Sequence, residues 1–350
     1  VFSPALILGD IAGDGSKIAI MIWVGVIFLY YLLATLMPVD KIIGRIYPIF
    51  AFALLFMAVA LMVCLFVKWP SLPELWDGLG NMGEANGLLK DQPIFPCLFI
   101  TIACGAVSGF HATQSPLMAR CLTDEKLGRP VFYGAMITEG IVALIWATVS
   151  SWFFFDGGAE AVGSTLHAAA PEVVVNVSKS WLGVLGGVLA VLGVVAAPIT
   201  SGDTAFRSAR LIVADFLHLD QKPVRNRLTI SIPLFAIAGL LLWYNIADED
   251  GFNVIWRYFG WANQTLAVFM LWTATAYLVK SKPNGSAAYL LTLFPAAFMT
   301  AVCTTYLCIA RIGFNLPNTW NYAIGSVTFL LSLVLFFLWK FRRNRKGNME

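Results

Sequence analysis

The sequence predicts an all-α polytopic membrane protein, a fold class that rests on three observations. Hydrophobic residues make up 59% of the 350 residues and charged residues only 12%, whereas soluble domains carry about 25% charged residues. Most of the charges are gathered between long, almost uncharged stretches, each about 20 residues or longer, which is the length a helix needs to cross a bilayer. No stretch alternates as barrel strands do, so helices must satisfy the backbone polar groups in lipid.

These stretches define about nine transmembrane helices in a single domain over residues 1–350. Two of the intervals between them, 69–91 and 156–179, are predicted as extracytoplasmic loops. The predicted spans are 18–39, 46–67, 92–114, 130–155, 180–202, 228–247, 255–279, 286–310 and 320–340.

Basic residues predict the orientation of these helices. Most of the 23 Lys and Arg residues lie in every second loop and in the C-terminal tail, and the positive-inside rule places those segments in the cytoplasm. The first span then enters from outside, which predicts at least one preceding span in a longer protein. A short re-entrant N-terminus is the alternative.

An amphipathic segment follows the fifth span. Over 203–220, apolar residues alternate at helical spacing with Arg207, Arg210, Asp215 and Asp220. We predict a helix on the cytoplasmic surface of the membrane. It would act either as a plain interfacial helix or as a scaffold that gates from that side.

The stretch "ACGAVSGFHATQSP" (103–116) ends the third span with polar residues. Gly105 and Gly109 permit close helix contact, and Pro116 is predicted to break the helix. Freed backbone groups are tolerated at membrane depth only against protein or a cavity, and secondary transporters build ligand sites from discontinuous helices. Alternatively, Pro116 only ends the span and His111 faces the headgroups. The predicted substrate-binding residues are Ser108, His111, Thr113, Gln114 and Ser115.

Glu139 is the acidic residue that lies within a predicted span, in "VFYGAMITEGIVALIW" (131–146). An ionised carboxylate at the bilayer centre costs about 2.5–3.5 kcal/mol even on lenient scales, so Glu139 must be protonated, paired or beside a wet cavity. This makes it a candidate for proton coupling, together with His111, because histidine exchanges protons near neutral pH. The alternative is a structural hydrogen bond to a neighbouring helix.

The fifth span closes with "GVVAAPITSGDTAFRSAR" (193–210). Pro198 is predicted to loosen the helix, and Thr200, Ser201 and Asp203 supply oxygen atoms of the kind that suits an alkali cation or a proton path. Asp203 could equally pair with Arg207, one helical turn later.

The seventh span contains three consecutive uncharged polar residues in "WRYFGWANQTLAVF" (256–269). Asn263 and Gln264 are candidate substrate-binding residues that would form a pocket wall. Hydrogen bonding between helices is the alternative.

Known catalytic and metal motifs are absent from the sequence. It has no Walker loop, HExxH, GxSxG or CxxC pattern. We therefore predict neither an enzyme nor a cofactor nor a metal site. The basic residues lie at predicted membrane boundaries, so we expect them to contact lipid and not nucleic acid.

Three segments resemble the carbon starvation protein A (CstA) family: "SGFHATQSPLMARC" (108–121), "APITSGDTAFRSARLIVADF" (197–216) and "FGWANQTLAVFMLWTATAYL" (259–278). The resemblance implies a multi-pass transporter of the bacterial inner membrane, linked to carbon starvation. It would take up peptides or pyruvate by symport with a proton, sodium being the other candidate ion. A nutrient sensor or scaffold that binds without transporting is the alternative.

The family resemblance also bears on the fold. It implies a core of the inverted-repeat type (LeuT-like, APC superfamily), although the sequence shows no internal repeat. The family has an earlier section with paired histidines and a glycine-rich break, which this sequence lacks. That difference agrees with the expectation of preceding spans.

Overall fold

The computed structural model describes residues 1–11, 16–36, 40–85, 92–166, 168, 170–248, 251–281, 287–311 and 313–347. Within these ranges the regular structure is helical, with 3₁₀ turns at Glu125–Leu127 and Ala287–Tyr289 and a π-helical segment at Arg129–Gly134. The α-helices are α1 (Phe2–Ile11), α2 (Lys17–Leu36), α3 (Asp40–Lys68), α4 (Leu75–Gly78), α5 (Met82–Ala85), α6 (Ile94–Ala106), α7 (Phe110–Cys121), α8 (Ala135–Phe155), α9 (Gly158–Ala161), α10 (Ala170–Phe216), α11 (Val224–Ala247), α12 (Gly251–Ser281), α13 (Leu290–Ile309) and α14 (Asn318–Gly347).

Seven of the described helical segments are long and apolar enough to cross a membrane. The chain is therefore a multi-pass, all-helical membrane protein, as its composition predicts. The predicted spans 180–202 and 255–279 lie in α10 and α12, outside these seven, so the count of about nine stays a prediction. The seven segments are Lys17–Ala34, Pro48–Lys68, Ile94–Cys121, Glu125–Phe155, Val224–Ala247, Ala287–Ile309 and Thr319–Arg343.

The chain divides into two compact units, and the division falls within α8. Unit 1 comprises Val1–Gly78 and Ile141–Asp248, and unit 2 comprises Leu79–Gly140 and Glu249–Glu350. Each unit has its own buried apolar clusters. A division by packing does not test whether the two units work as one functional domain, so the single domain over residues 1–350 stays a prediction.

Unit 1 is built around α10, which packs against α1, α2, α3 and α11. Leu61 of α3, Phe153 of α8 and Val177 of α10 lie in one buried apolar cluster. Gly193 allows α10 to approach α3 closely, because a Cβ at that position would lie 2.9 Å from the Leu54 backbone nitrogen. Tight packing of this kind is how helices associate when lipid removes the usual hydrophobic driving force.

Unit 2 is built around α13, which packs against α6, α12 and α14. Ile100 of α6 and Val302 of α13 are buried in its core. The indole nitrogen of Trp261 on α12 donates to the carbonyl of Cys303 at 3.1 Å. These contacts hold α6 and α12 side by side, which positions the end of α6 described next.

The break in the third predicted span lies at Val107–Gly109. α6 ends at Ala106 and α7 begins at Phe110, with Pro116 inside α7, so the prediction that Pro116 breaks the helix is wrong. The physical reason is local, because the hydroxyl oxygen of Ser108 accepts a hydrogen bond from the Phe110 N–H at 3.3 Å. Such side-chain bonds compete with the helical pattern.

Gly109 is required at this break by a close approach between α7 and α12. A Cβ at this position would overlap the carbonyl oxygen of Asn263 and would lie 2.7 Å from the Cβ of Leu266. Only glycine leaves room for this contact, so the start of α7 rests directly on α12.

The fifth predicted span is part of a much longer helix. α10 has 47 residues, Ala170–Phe216. The predicted loop 156–179 therefore ends earlier, where α10 begins, and most of the predicted surface helix 203–220 is the continuation of α10 and not a separate helix. The start of α10 is helical because Val173 and Val177 are buried against α3 and α8. The helix runs through Pro198, and its backbone departs from helical geometry at Gly183, where φ is 68°. Residues 86–91 of the other predicted loop lie outside the described residues.

Candidate functional site

A pocket of about 400 Å³ lies in unit 2 beside the break between α6 and α7. Pockets that bind small ligands usually hold about 300–1,000 Å³ and are mostly apolar, with a few placed polar groups. Its polar lining is Ser108, His111, Gln114 and Ser115. Its apolar lining is Val107, Met118, Val131, Phe132, Ala135, Met136, Ala267, Met270 and Leu271.

The residues of α7 that line the pocket share one helix face. His111, Gln114, Ser115 and Met118 stand at positions i, i+3, i+4 and i+7, which face the same way on an α-helix. The break therefore does more than interrupt the span, because it starts a new helix whose polar face looks into a cavity. Thr113 lies off this face, and its hydroxyl donates to the carbonyl of Phe110 at 3.0 Å.

His111 and Glu139 lie within ion-pair distance. The Nε2 of His111 is 3.3 Å from the Oε2 of Glu139, and the two side chains are 30% and 44% exposed. A partly exposed pair of this kind adds little to stability. Its chemical interest is that a proton on the imidazole makes the pair neutral, whereas loss of that proton leaves a net negative charge.

Asn263 and Gln264 are buried and face α6. The amide of Asn263 contacts the Ser108 hydroxyl at 3.4 Å and the Cys104 sulfur at 3.6 Å, and the Gln264 amide donates to the Ile100 carbonyl at 3.3 Å. Neither residue lines the pocket. Hydrogen bonding between helices, which the sequence left open for both residues, is what the structure contains.

Several pocket residues could not be recognised in the sequence. Val131 and Phe132 belong to the π-helical segment that precedes α8, and such wide turns are common at functional sites. Ala267 and Met270 follow Asn263 at helical spacing on α12. That spacing indicates that Ala267 and Met270 share a helix face with Asn263. Apolar residues are ordinary in an apolar span, however, so their sequence gives no reason to assign them to a pocket.

The predicted coupling residues Thr200, Ser201 and Asp203 lie in unit 1. Asp203 is 2% exposed, and its Oδ2 is 3.3 Å from the Nη2 of Arg207, which is the ion pair that the sequence left open. The hydroxyl of Thr200 donates to the carbonyl of Ala197 at 3.0 Å, within its own helix, and Ser201 is exposed.

Within the part of the chain that the structure describes, no three His, Cys, Asp or Glu side chains are grouped closely enough to hold a metal ion. The pocket thus offers hydroxyl, amide and imidazole groups as its polar chemistry.

Comparison with known proteins decides the family. The sequence matches the family described as carbon starvation protein CstA over residues 12–182 and 166–306. The chain belongs to the carbon starvation protein family. The family assignment that the three segments suggested is confirmed, and the matched regions include α7, Glu139 and the whole of α12.

Some similar proteins are named as transporters, and others are named only as membrane proteins. An uncharacterized membrane protein of Haemophilus influenzae is 46% identical over 180 residues, which cover 44% of this chain and 48% of the relative. The peptide transporter CstA of Bacillus subtilis is 29% identical over 325 residues, 80% of this chain and 53% of the relative. The pyruvate/proton symporter BtsT of Escherichia coli is 26% identical over 318 residues, 69% of this chain and 43% of the relative.

The chain spans about half the length of these curated relatives. No solved structure matches the chain. The family assignment therefore rests on sequence similarity, and the polar groups available to a ligand are read from the residues that line the pocket.

Proposed function

We propose that the chain forms the substrate-binding part of a secondary active transporter that takes up peptides or pyruvate with a proton. It would do so as a multi-pass protein of the bacterial inner membrane with its C-terminus in the cytoplasm. The observation that carries the proposal is the pocket at the α6–α7 break, with His111 in its wall and Glu139 3.3 Å away. The transporters named among its relatives support the substrate classes.

The pocket suits a small ligand with polar and apolar parts. Gln114, Ser108 and Ser115 offer donors for a carboxylate or a peptide carbonyl, and Met118 and Leu271 offer apolar surface. In this proposal Asn263 and Gln264 position α6 and the break instead of touching the substrate, and Thr113 stabilises the start of α7.

Proton coupling follows from the charge of the His111–Glu139 pair. A carboxylate substrate is repelled by an unprotonated pair, which carries the charge of Glu139, and is not repelled once the imidazole is protonated. A proton therefore favours substrate binding, and by thermodynamic linkage the substrate favours proton binding to the same degree. A transporter that releases both together moves them as a symporter.

The test is uptake by cells that express the gene, with labelled pyruvate and a labelled dipeptide, with and without an inward pH gradient. Glu139→Gln and His111→Gln should each lower gradient-driven uptake by about tenfold, within the range of ordinary coupling energies. Glu125→Gln is the matched control, because Glu125 is an exposed glutamate in the 3₁₀ turn Glu125–Leu127 that precedes α8. Gln114→Ala and Ser115→Ala should raise the substrate concentration needed for half-maximal uptake.

Three results would count against the proposal. Uptake that is undiminished in both Glu139→Gln and His111→Gln removes the coupling role of the pair. Substrate binding without accumulation indicates the sensor or scaffold instead. A loss of coupling in Asp203→Asn, with both pocket variants normal, moves the ion path to Thr200, Ser201 and Asp203.

A further inference from the structure

The C-terminal part of α10 turns its polar face into unit 1. Asp203 and Ser208 are each 2% exposed and Arg210 is 8% exposed, whereas Ile212 and Phe216 are 50% and 83% exposed. A helix lying on a wet surface would show the opposite arrangement. Asp203, Ser208 and Arg210 are therefore enclosed by protein, whereas Ile212, Asp215 and Phe216 are exposed.

Arg210 is the unusual member of this polar face. Its Nε and Nη1 atoms are buried and have no hydrogen-bond partner among the described residues. A guanidinium stays charged, has five N–H donors and accepts no hydrogen bond. Because a buried charge without a counter-charge is strongly unfavourable, this group calls for an anion.

The neighbours of Arg210 increase that need. Burial lowers the pKa of the Arg210 guanidinium, and the charges of Arg227 and Arg207 lower it further. The carboxylate of Asp203 is engaged by Arg207 at 3.3 Å, and the Nε of Arg227 donates to the backbone carbonyl of Gln221 at 2.6 Å. Three guanidinium groups thus repel one another in this part of unit 1.

Two uncharged groups beside the arginines are also left without partners. Both side-chain atoms of the Gln221 amide and the hydroxyl of Ser231 are buried and have no hydrogen bond among the described residues. Gln221 is tied to Arg227 by the 2.6 Å bond, and Ser231 follows Arg227 by one turn of α11. These groups add neutral donors to the same part of unit 1.

We propose that Arg210, with Arg207 and Arg227, forms a binding site in unit 1 for a phosphate-type oxyanion, either the headgroup phosphate of an anionic lipid or free phosphate. Planar guanidinium groups match phosphate oxygens in charge and geometry, and basic pockets between membrane helices bind anionic headgroups. Ile212 and Phe216 are exposed apolar side chains on the outward face of the same helix.

The experiment measures thermal unfolding of the purified, delipidated protein in neutral detergent. The probes are inorganic phosphate against chloride at equal ionic strength, and dihexanoyl phosphatidylglycerol against dihexanoyl phosphatidylcholine. A bound oxyanion should raise the unfolding temperature by about 2–5 °C. The shift should vanish in Arg210→Gln and persist in Arg225→Gln, the control at an exposed arginine of α11, the helix that carries Arg227.

The outcomes separate the two sources of phosphate. A shift with phosphatidylglycerol alone assigns the site to a lipid headgroup, and a shift with inorganic phosphate shows that the free ion suffices. If Arg210→Gln does not fold, Arg210→Lys keeps the charge but not the planar donor set, and it should lose most of the shift. The proposal is overturned if the wild type responds to neither probe, as it would if a carboxylate of the protein itself were paired with Arg210. It is also overturned if Arg210→Gln or Arg210→Lys shows the same shift as the wild type.

Discussion

Two segments of this chain look alike in sequence and differ in structure. Residues 103–121 and 193–210 each combine glycine, hydroxyl residues and a proline near the end of an apolar stretch. The first is interrupted at Val107–Gly109, whereas the second continues as helix through Pro198. In both segments the proline lies inside a helix, so proline is not what decides where this chain breaks.

The difference lies in what the hydroxyl groups do. The Ser108 oxygen accepts from the Phe110 N–H and so takes a donor away from the helical pattern. The Thr200 and Thr204 hydroxyls donate to carbonyls of their own helix, at 3.0 Å and 2.9 Å, which leaves the backbone ladder in place. A hydroxyl side chain therefore lies at a helix break in the first segment, and hydroxyl side chains lie within a continuous helix in the second.

The largest test of this comparison is Gly109→Ala. The new Cβ would overlap the Asn263 carbonyl oxygen, and backbone cannot move aside as a flexible side chain can. We expect a loss of about 3 kcal/mol or more, at the upper end of the cost of overpacking, measured as thermal unfolding in detergent. Gly134→Ala is the control, since nothing lies within 4 Å of a Cβ there. Equal unfolding temperatures for Gly109→Ala and wild type would show that α12 does not press on the break.

A smaller effect is expected at the continuous helix. In Gly202→Ala the new Cβ would lie 2.5 Å from the Cζ of Tyr31, a side chain only 1% exposed, whose hydroxyl donates to the Pro198 carbonyl at 3.0 Å. We expect a destabilisation of about 1–3 kcal/mol. Gly25→Ala has open space and should instead stabilise α2 by up to about 1 kcal/mol. A neutral Gly202→Ala would mean that Tyr31 is free to shift.

The smallest effect separates serine from proline as the cause of the break. Ser108→Ala should cost about 1 kcal/mol, as for other side-chain bonds at helix starts, and should speed hydrogen exchange at the Phe110 amide. Pro116→Ala should leave both unchanged, because Pro116 lies within α7. Faster exchange at Phe110 in Pro116→Ala, but not in Ser108→Ala, would restore proline as the breaker.

The sequence predicted the chemistry of the unit 2 pocket better than its shape. Ser108, His111, Gln114 and Ser115 stood out because polar residues are costly in an apolar span, and these four share one cavity. The position of the break was missed because the sequence does not show which hydroxyl group bonds to the backbone. The close fit of Gly109 against Asn263, which is distant in sequence, was hidden for the same reason. Whether the pocket binds a substrate stays a prediction.

Arg210 shows a different limit of sequence reasoning. Basic residues after a span are ordinary at a cytoplasmic boundary, so nothing in the sequence separated Arg210 from Arg225. Only packing shows that one is buried and the other exposed. Burial of a charged side chain is a tertiary property, and local pattern does not contain it.

The π-helical segment Arg129–Gly134 fixes the direction in which the start of α8 points. A wide turn acts as one inserted residue, and each residue of an α-helix rotates the chain by about 100°. With an ordinary α-helical turn at this point, the carboxylate of Glu139 would swing away from the imidazole of His111. The pairing of these two groups therefore depends on how the chain is wound several residues upstream of Glu139.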